Sequence, residues 1–149
     1  MKTLERKLNQ LLANHVTMMH KEQAYHWLVE GPEFFATHNM MEGYYDALSA
    51  RVDEIAEKIL MIGGTPLVSM GDFLANAGIS EATARGIDTE AALKETLAGF
   101  EMLRGGAVDL RKAADETGGT NGILVGAFAD DIVSGLSKDI WMLRQATGG

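Results

Sequence analysis

Apolar residues recur every three or four positions through four long stretches of this chain, and short breaks rich in glycine and proline separate the stretches. This spacing puts apolar side chains on one face of an α-helix, so it predicts four amphipathic helices that bury those faces against one another. The predicted helices run from Thr3, as N-cap, to the break at Gly31-Pro32, from just after Pro32 to Gly63-Gly64, from about Thr89 to Thr117, and from about Asn121 to Gln145.

The connection between the second and third predicted helices is unusually long. Residues 65–88 contain Pro66 and three glycines but are too apolar for a plain loop, and residues 72–77 predict a short crossing helix. A simple up-and-down bundle needs no such connection, whereas ferritin-like four-helix bundles use a long crossover at this place. We therefore expect an all-α, ferritin-like four-helix bundle with a short helix in its crossover, folded as one domain over residues 1–149.

Composition restricts the chemistry available to the chain. The absence of cysteine from its 149 residues excludes disulfides, iron–sulfur clusters and cysteine-type zinc sites, so any metal must be held by nitrogen and oxygen atoms. A formal net charge of -8 opposes general binding to DNA phosphates and suits metal cations better.

The first residues lack the features of a signal peptide, and no apolar run approaches about 18 residues. We expect a soluble cytoplasmic protein with no membrane association.

Two pairs of candidate metal ligands lie on the second predicted helix. His38 and Glu42 are four residues apart, as are Asp53 and Glu57, so each pair can present two ligand atoms on one face of the helix. The two pairs are separated along the helix axis by roughly 16 Å, at 1.5 Å per residue. No single ion, and no close pair of ions, can bridge that distance within one helix.

The positions of the two pairs are symmetric about a point between Ala47 and Leu48. His38 lies as far before that point as Glu57 lies after it, and the same holds for Glu42 and Asp53. If two copies of the helix cross antiparallel on a two-fold axis there, His38 and Glu42 of one chain come opposite Glu57 and Asp53 of the other. Because a two-fold contact is self-complementary, the composite site would occur twice in each dimer.

A second histidine ligand is available on the first predicted helix. His26 lies six residues before Pro32 and His38 six residues after it, so both reach the same height in a hairpin that turns there. His26, His38 and Glu42 can therefore converge from one chain. Taken singly, each has an ordinary alternative as a packed or solvated side chain. Together with Asp53 and Glu57 they form a set of two imidazoles and three carboxylates that suits Fe(II), Mn(II) or Zn(II), with iron favoured if open positions remain for an oxidant.

A ferritin-type di-iron centre inside one bundle is disfavoured. Such a centre needs Glu-x-x-His motifs on the paired helices, and the sequence contains none. Every histidine precedes residue 39, so the third and fourth long helices supply no imidazole.

Three segments carry a family resemblance: LNQLLANHV, then YHWLVEGPEFFATHNMMEGYYDAL, then DEIAEKILMIGGTPL. With KDIWML near the end, they closely resemble the Dps family, the ferritin-like mini-ferritins of prokaryotes. The resemblance implies that His26, His38 and Glu42 are ferroxidase ligands from one subunit and that Asp53 and Glu57 come from its partner. Asp is also common at the position of Glu42, and the longer side chain could alter the spacing of the metals.

The resemblance also implies an assembly and an activity. It implies a homo-oligomer, a hollow shell of twelve subunits built from two-fold dimers, that oxidises Fe(II) with H2O2 in preference to O2 and stores ferric mineral. Zn or Mn could also occupy the site. Trp27 resembles a site-adjacent tryptophan that intercepts stray oxidising equivalents, or is simply a packed interface aromatic.

The two rival functions are a nucleoid-compacting structural protein and a helical assembly without catalysis that holds Zn or nothing. Some members of the Dps family, which this sequence resembles, bind DNA through a Lys-rich tail on the first helix. No such segment stands before Thr3 or in the final ATGG, so we expect DNA binding to be weak or absent and a nucleoid location only if DNA is bound.

The remaining polar candidates have a less specific pattern. Asp46 and Ser49 fall on the same face as the ligand pairs, and a salt bridge or a wet interface explains Asp46 better than metal binding does. Four acids could line iron-entry pores on three-fold axes, although a solvated face is the favoured interpretation: Asp115, Glu116, Asp130 and Asp131. We interpret His15 and His20 as structural or surface groups.

Overall fold

Four long helices form the bundle in residues 2–148, the part of the chain that the computed structural model describes. The helices are α1 (Lys2–Leu28), α2 (Phe34–Met61), α3 (Met70–Asn76), α4 (Thr89–Thr117) and α5 (Gly119–Thr147), and two short strands are β1 (Val29–Glu30) and β2 (Ile87–Asp88). The predicted all-α bundle with a short helix in its crossover is confirmed. None of the described helices is both long and apolar enough to cross a membrane.

The crossover makes α2 and α4 run in the same direction. α1 forms antiparallel hairpin contacts with α2 and also packs on α4, and α4 packs on α5. The Oγ1 atoms of Thr37 and Thr89, each near the start of its helix, lie 3.5 Å apart. About two to three turns further along, the rings of Tyr44 and Phe100 meet edge to face at 5.0 Å. The chain therefore returns along the outside of the bundle between α2 and α4.

Strands β1 and β2 were not predicted from the sequence. They pair in parallel, Val29 with Ile87 and Glu30 with Asp88, and so fasten the end of the crossover beside the turn between α1 and α2. Two residues are too few to leave a detectable alternation of apolar and polar side chains.

Polar side chains of α1 hold the crossover in place. Asn9 Oδ1 accepts a hydrogen bond from the Leu67 amide at 2.9 Å, and Asn14 Oδ1 accepts from the amides of Gly78 at 2.7 Å and Ile79 at 3.3 Å. These bonds satisfy backbone groups that have no partner in a regular element. The long segment between α2 and α4 is thus fixed relative to the bundle.

The predicted helix ends need two corrections. α1 already includes Lys2 and Thr3, so Thr3 is not its N-cap. Solvent can satisfy the first amide groups of an exposed helix end, which lets the helix extend past a good capping residue. The break before α5 is also shorter than predicted, because Gly118, with a φ of 64°, reverses the chain and α5 begins at the next residue.

The core consists of the apolar faces of the four long helices. From α2, the side chains of Met41, Ile55 and Ile59 are completely buried, and the same is true of Leu4, Leu8 and Leu103 on α1 and α4. Burial of each such side chain stabilises the fold by about 1.5–3 kcal/mol relative to its exposure to water.

One carboxyl group, that of Glu22, lies inside this core. Its side chain is 0% exposed, Oε1 accepts a hydrogen bond of 2.6 Å from the Thr96 hydroxyl, and Oε2 makes no hydrogen bond within the described residues. Burial raises the pKa of Glu22 to about 8, against the smaller opposing effects of the Thr96 bond and the Lys21 charge. Glu22 is therefore protonated in the folded chain near neutral pH.

This burial predicts a stability that falls with rising pH. A carboxyl whose pKa is raised in the folded state favours folding below its unfolded pKa of 4.5, and this stability is lost as the pH rises towards about 8. His15, fully buried with a pKa lowered to about 4 mainly by desolvation, acts in the opposite direction below pH 6.5. The effect of Glu22 is therefore isolated between pH 6.5 and 8, where we expect a decline of about 1.4 kcal/mol per pH unit at most.

Unfolding measured at several pH values tests this expectation with Glu22→Gln, which keeps an acceptor for Thr96 and removes the titration. The variant should lose the decline between pH 6.5 and 8, whereas the exposed-acid control Glu116→Gln should retain it. An unchanged decline in Glu22→Gln would show that another group is responsible.

Candidate metal centre

The imidazoles of His26 and His38 stack directly on each other across the hairpin of α1 and α2. Their ring centroids are 3.6 Å apart and their planes are inclined by 11°. Pro32 stands midway between them in the sequence, and the turn brings the last residues of α1 level with the second turn of α2. The equal height predicted for the two histidines is therefore found.

Each histidine is held by a hydrogen bond to the backbone of the other. His26 Nδ1 donates to the His38 carbonyl oxygen, and His38 Nδ1 donates to the His26 carbonyl oxygen, both at 2.6 Å. The His26 carbonyl is one of the last four of α1 and has no partner within the helix, so it is free to accept. The His38 carbonyl lies inside α2 and uses its second lone pair.

These two hydrogen bonds determine which nitrogen can bind a metal. A carbonyl oxygen is only an acceptor, so each Nδ1 must carry a proton, and in the neutral ring the free lone pair is then on Nε2. Metal-binding histidines commonly donate their other N–H to a carbonyl or carboxylate in this way, which fixes the tautomer and orients the ring. His26 and His38 are thus preorganised to coordinate through Nε2.

Each histidine of the pair also contacts a further aromatic ring. Phe34 stacks on His38 with centroids 5.0 Å apart, and Tyr45 meets His26 edge to face at 5.3 Å and 73°. His26 is only 6% exposed, while His38 is partly exposed. The His26 imidazole is therefore shielded from solvent, and the His38 imidazole remains partly accessible.

Glu42 follows His38 by one helical turn, and Tyr45 lies three residues further along the same helix. The pKa of Tyr45 is raised, first by desolvation and then by the charges of Glu42 and Asp46. The Glu42 side chain itself is exposed. Tyr45 thus contacts the ring of His26 and lies close enough to Glu42 for the charge of that carboxylate to raise the tyrosine pKa.

Asp53 and Glu57 form a second centre of negative charge further along α2. Both side chains are exposed, and the pKa of Glu57 is raised by a hydrogen bond with Asp53, then by the Asp53 charge and by desolvation. Two carboxylates this close favour a shared proton or a cation between them.

The two centres do not combine within one chain. No group of three or more His, Asp or Glu side chains in residues 2–148 lies close enough together to hold a metal ion. The structure brings together His26 with His38 and Asp53 with Glu57, and it leaves Glu42 against Tyr45. The donors nevertheless fit iron chemically, since imidazole Nε2 atoms and carboxylates are the N/O set of non-haem iron centres.

The other candidates on α1 and α2 lie at the edge of this region. Asp46 and Ser49 are exposed on α2, and Trp27, 59% exposed, meets the ring of His20 edge to face at 6.1 Å. His15 is buried and its Nδ1 donates to the Leu11 carbonyl, in keeping with a structural role.

The acids of α4 and α5 are largely paired with arginines. Arg111 binds both Asp115 and Asp130, while Arg51 binds Asp131 at 3.3 Å. An arginine at an acidic cluster offsets the negative charge that would attract a cation. This pairing favours an ion-paired surface over an iron-entry pore. Glu116 is an exposed acid outside these ion pairs.

Comparison with known proteins places the whole bundle in one family. The Ferritin-like domain model matches residues 5–148. DNA protection during starvation protein 2 of Bacillus anthracis is 33% identical over 137 residues, which cover 92% of this chain and 91% of the relative.

Two solved structures are also similar. Antigen TpF1 of Treponema pallidum superposes with a TM-score of 0.94 at 30% identity, covering 99% of this chain and 93% of the other. A Dps protein of Vibrio cholerae, described as a member of a broad superfamily of ferritin-like diiron-carboxylate proteins, superposes with a TM-score of 0.91 at 32% identity, covering 97% and 88%. On fold, family model and sequence identity together, the chain belongs to the Dps family of ferritin-like proteins.

Proposed function

We propose that this protein oxidises Fe(II), preferentially with hydrogen peroxide, and stores the ferric product as mineral inside a hollow shell of twelve subunits. Membership of the Dps family supports a general role in iron storage and protection. The Vibrio cholerae relative is described as belonging to the diiron-carboxylate proteins, a class whose donors match the imidazoles and carboxylates of α1 and α2. Iron is the substrate and the cargo, and Zn or Mn ions would compete for the same donors.

The observation that carries this proposal is the reciprocal hydrogen bonding of His26 and His38. Both Nδ1 atoms donate to backbone carbonyls at 2.6 Å, so the two stacked rings are fixed in the same tautomer and side by side. This arrangement leaves both Nε2 lone pairs for an external ligand.

The site is completed, in this proposal, by Asp53 and Glu57 of a second subunit. The two-fold axis between Ala47 and Leu48 that pairs the ligands also brings two exposed apolar side chains opposite each other, Phe35 of one chain and Leu60 of its partner. These side chains are 78% and 60% exposed in the single chain, an unfavourable state that such a dimer would relieve. The same symmetry thus accounts for the separated ligands and for the exposed apolar residues.

The reaction needs little from the protein beyond position and charge. Two Fe(II) ions held near each other each give one electron to hydrogen peroxide, which takes up two protons and becomes two waters without releasing a hydroxyl radical. The His26 and His38 rings and the carboxylates of Glu42, Asp53 and Glu57 hold the substrate ions, and the carboxylates stabilise the added positive charge of Fe(III). The ferric ions then move inward, where acidic side chains nucleate mineral.

DNA compaction is the second candidate, because the Bacillus anthracis relative is named for DNA protection. The charge of this chain opposes it: the formal net charge is -8. Several basic side chains are also engaged with carboxylates and so contribute little free positive charge: Lys21, Arg51, Lys94, Arg111 and Arg144. A protein with this negative charge would protect DNA better by removing iron and peroxide than by binding the DNA.

Anaerobic loading with Fe(II), followed by hydrogen peroxide or by oxygen, tests the proposed activity optically. Peroxide should oxidise the iron much faster than oxygen, with about one peroxide consumed for two Fe(II), since each Fe(II) supplies one electron. His38→Ala should slow the reaction at limiting iron by at least about 10- to 100-fold. Loss of a residue that only supports a metal ligand usually has an effect of about this size, and His38 is proposed to bind the metal directly.

His20→Ala is the matched control, an exposed histidine of α1 outside the stacked pair, and it should retain the wild-type rate. Assembly of every variant is checked by the mass of the intact particle. If peroxide fails to accelerate oxidation in fully assembled wild-type protein, the proposed function is wrong.

A mobility-shift experiment separates the two candidate functions. The assembled protein should leave plasmid DNA unshifted near neutral pH at moderate salt, because a particle of net negative charge releases few counterions from the phosphates. A clear shift under these conditions would favour the DNA-compacting function.

A further inference from the structure

A small cavity lies between α1, α2, α4 and α5, away from the candidate metal centre. Its volume is about 80 Å³, and Phe100, Ile132 and Leu136 form part of its apolar wall. Its polar lining side chains come from three helices: His15 of α1, Tyr44 and Arg51 of α2, and Asp139 of α5. His15 precedes His26 by eleven residues, which is roughly 16 Å along α1, so the cavity is separate from the stacked histidines.

The imidazole of His15 has an unused hydrogen-bond acceptor at this cavity. The side chain is 1% exposed, and Nδ1 donates to the Leu11 carbonyl oxygen at 2.8 Å. A carbonyl oxygen only accepts, so Nδ1 carries the proton and the free lone pair of the neutral ring is on Nε2. Burial lowers the pKa of His15 to about 4, which agrees with a neutral ring.

No hydrogen bond to His15 Nε2 forms within residues 2–148. A buried acceptor without a donor costs free energy, and such groups in folded proteins are usually satisfied by a protein group or by a bound small molecule such as water. An apolar molecule in the cavity would leave Nε2 unpaired. The ligand of this cavity must therefore carry a hydrogen-bond donor.

The charges at the cavity favour a neutral ligand. Asp139 is half-buried, and Arg51 brings the opposite charge, which its NH1 group shares with Glu54 and Asp131 at 3.3 Å each. An anion would face the carboxylate and a cation would face the guanidinium. One imidazole and one carboxylate are also too few for a metal ion, and no group of three or more His, Asp or Glu side chains in the described part of the chain is close enough to hold one.

We propose that this cavity binds a small neutral molecule with two O–H donors, which donates one hydrogen bond to His15 Nε2 and one to the Asp139 carboxylate. Water and hydrogen peroxide share this chemistry. The hydroxyl of Tyr44, which lines the same cavity, can donate to an oxygen of the bound molecule. A cavity needs about 10–15 Å³ to hold one water, so this cavity has room for either molecule.

A crystal structure of the metal-free assembled protein tests the site directly. We expect electron density for an oxygen atom within hydrogen-bond distance of both His15 Nε2 and the Asp139 carboxylate. Crystals soaked in hydrogen peroxide separate the two ligands, because two bonded oxygens give elongated density and water gives the density of a single oxygen. A cavity without density in both crystals would overturn the proposal.

His15→Leu tests the part of the histidine in the same crystals. The variant removes the acceptor and keeps an apolar side chain in the core, so the density should disappear. His20→Leu is the matched control, because His20 is an exposed histidine of the same helix, and it should retain the density. Unchanged density in His15→Leu would contradict the proposal.

Nuclear magnetic resonance of sedimented, metal-free particles with ¹⁵N-labelled histidine tests the occupancy without a crystal. The chain has four histidines, and the signal absent from His15→Leu identifies His15. The Nε2 resonance should have the chemical shift of a nitrogen that accepts a hydrogen bond. Asp139→Leu should move it towards the value of an unbonded nitrogen, because the bound molecule loses its second partner.

Glu116→Leu, which alters an exposed acid, is the control for this measurement and should leave the His15 resonance in place. A wild-type Nε2 resonance at the unbonded value would overturn the proposal.

The site does not depend on the proposed function, and the two can fail separately. A bound molecule in protein that does not oxidise Fe(II) would support the site and contradict the function. An empty cavity in protein that oxidises Fe(II) with peroxide would contradict the site and leave the function standing.

Discussion

The exchange of hydrogen bonds between His26 and His38 is the interaction on which this site depends. It uses a carbonyl that the end of α1 leaves unpaired, and it ties the last turn of α1 to the second turn of α2. The same two bonds fix both ring orientations and leave Nε2 of each ring free. A structural feature of the hairpin, the end of a helix beside Pro32, thereby creates a preorganised pair of nitrogen donors.

The rest of the proposed site follows from symmetry. A single chain separates its histidines from Asp53 and Glu57 along α2, and no described group of three ligands forms within it. Placing the ligands of one centre on two chains makes metal binding depend on the dimer, so an unassembled subunit would not oxidise iron. The exposed side chains of Phe35 and Leu60 fit the same two-fold axis, although nothing in their own chemistry relates them to metal binding. The proposed two-fold axis thus accounts both for the separated metal ligands and for the exposed apolar side chains of α2.

The sequence predicted the long helices well because their apolar spacing and glycine breaks are strong local signals. The predicted range of α4 matches Thr89–Thr117, and the short helix of the crossover was expected within two residues of its observed start. The pairing of β1 with β2 was missed because two residues carry no periodicity, and Thr3 proved not to cap α1 because exposed amides can be satisfied by water. The sequence also predicted that His26 and His38 lie at the same height in the hairpin, because they are equally far from Pro32. Their exchanged hydrogen bonds depend on side-chain directions across the hairpin, which spacing alone does not give.

The assignment of each site to two chains is tested most directly by mixing inactive subunits. His38→Ala and Asp53→Ala chains, each inactive alone, are coexpressed with different tags, and particles that contain both are purified. In a mixed dimer both lesions fall in one site and the other site is intact, so random pairing should restore about a quarter of the wild-type sites, since about half of the dimers are mixed. If the mixed particles, with both chains verified by mass, remain as inactive as either parent, the ligands come from a single chain and the account is wrong.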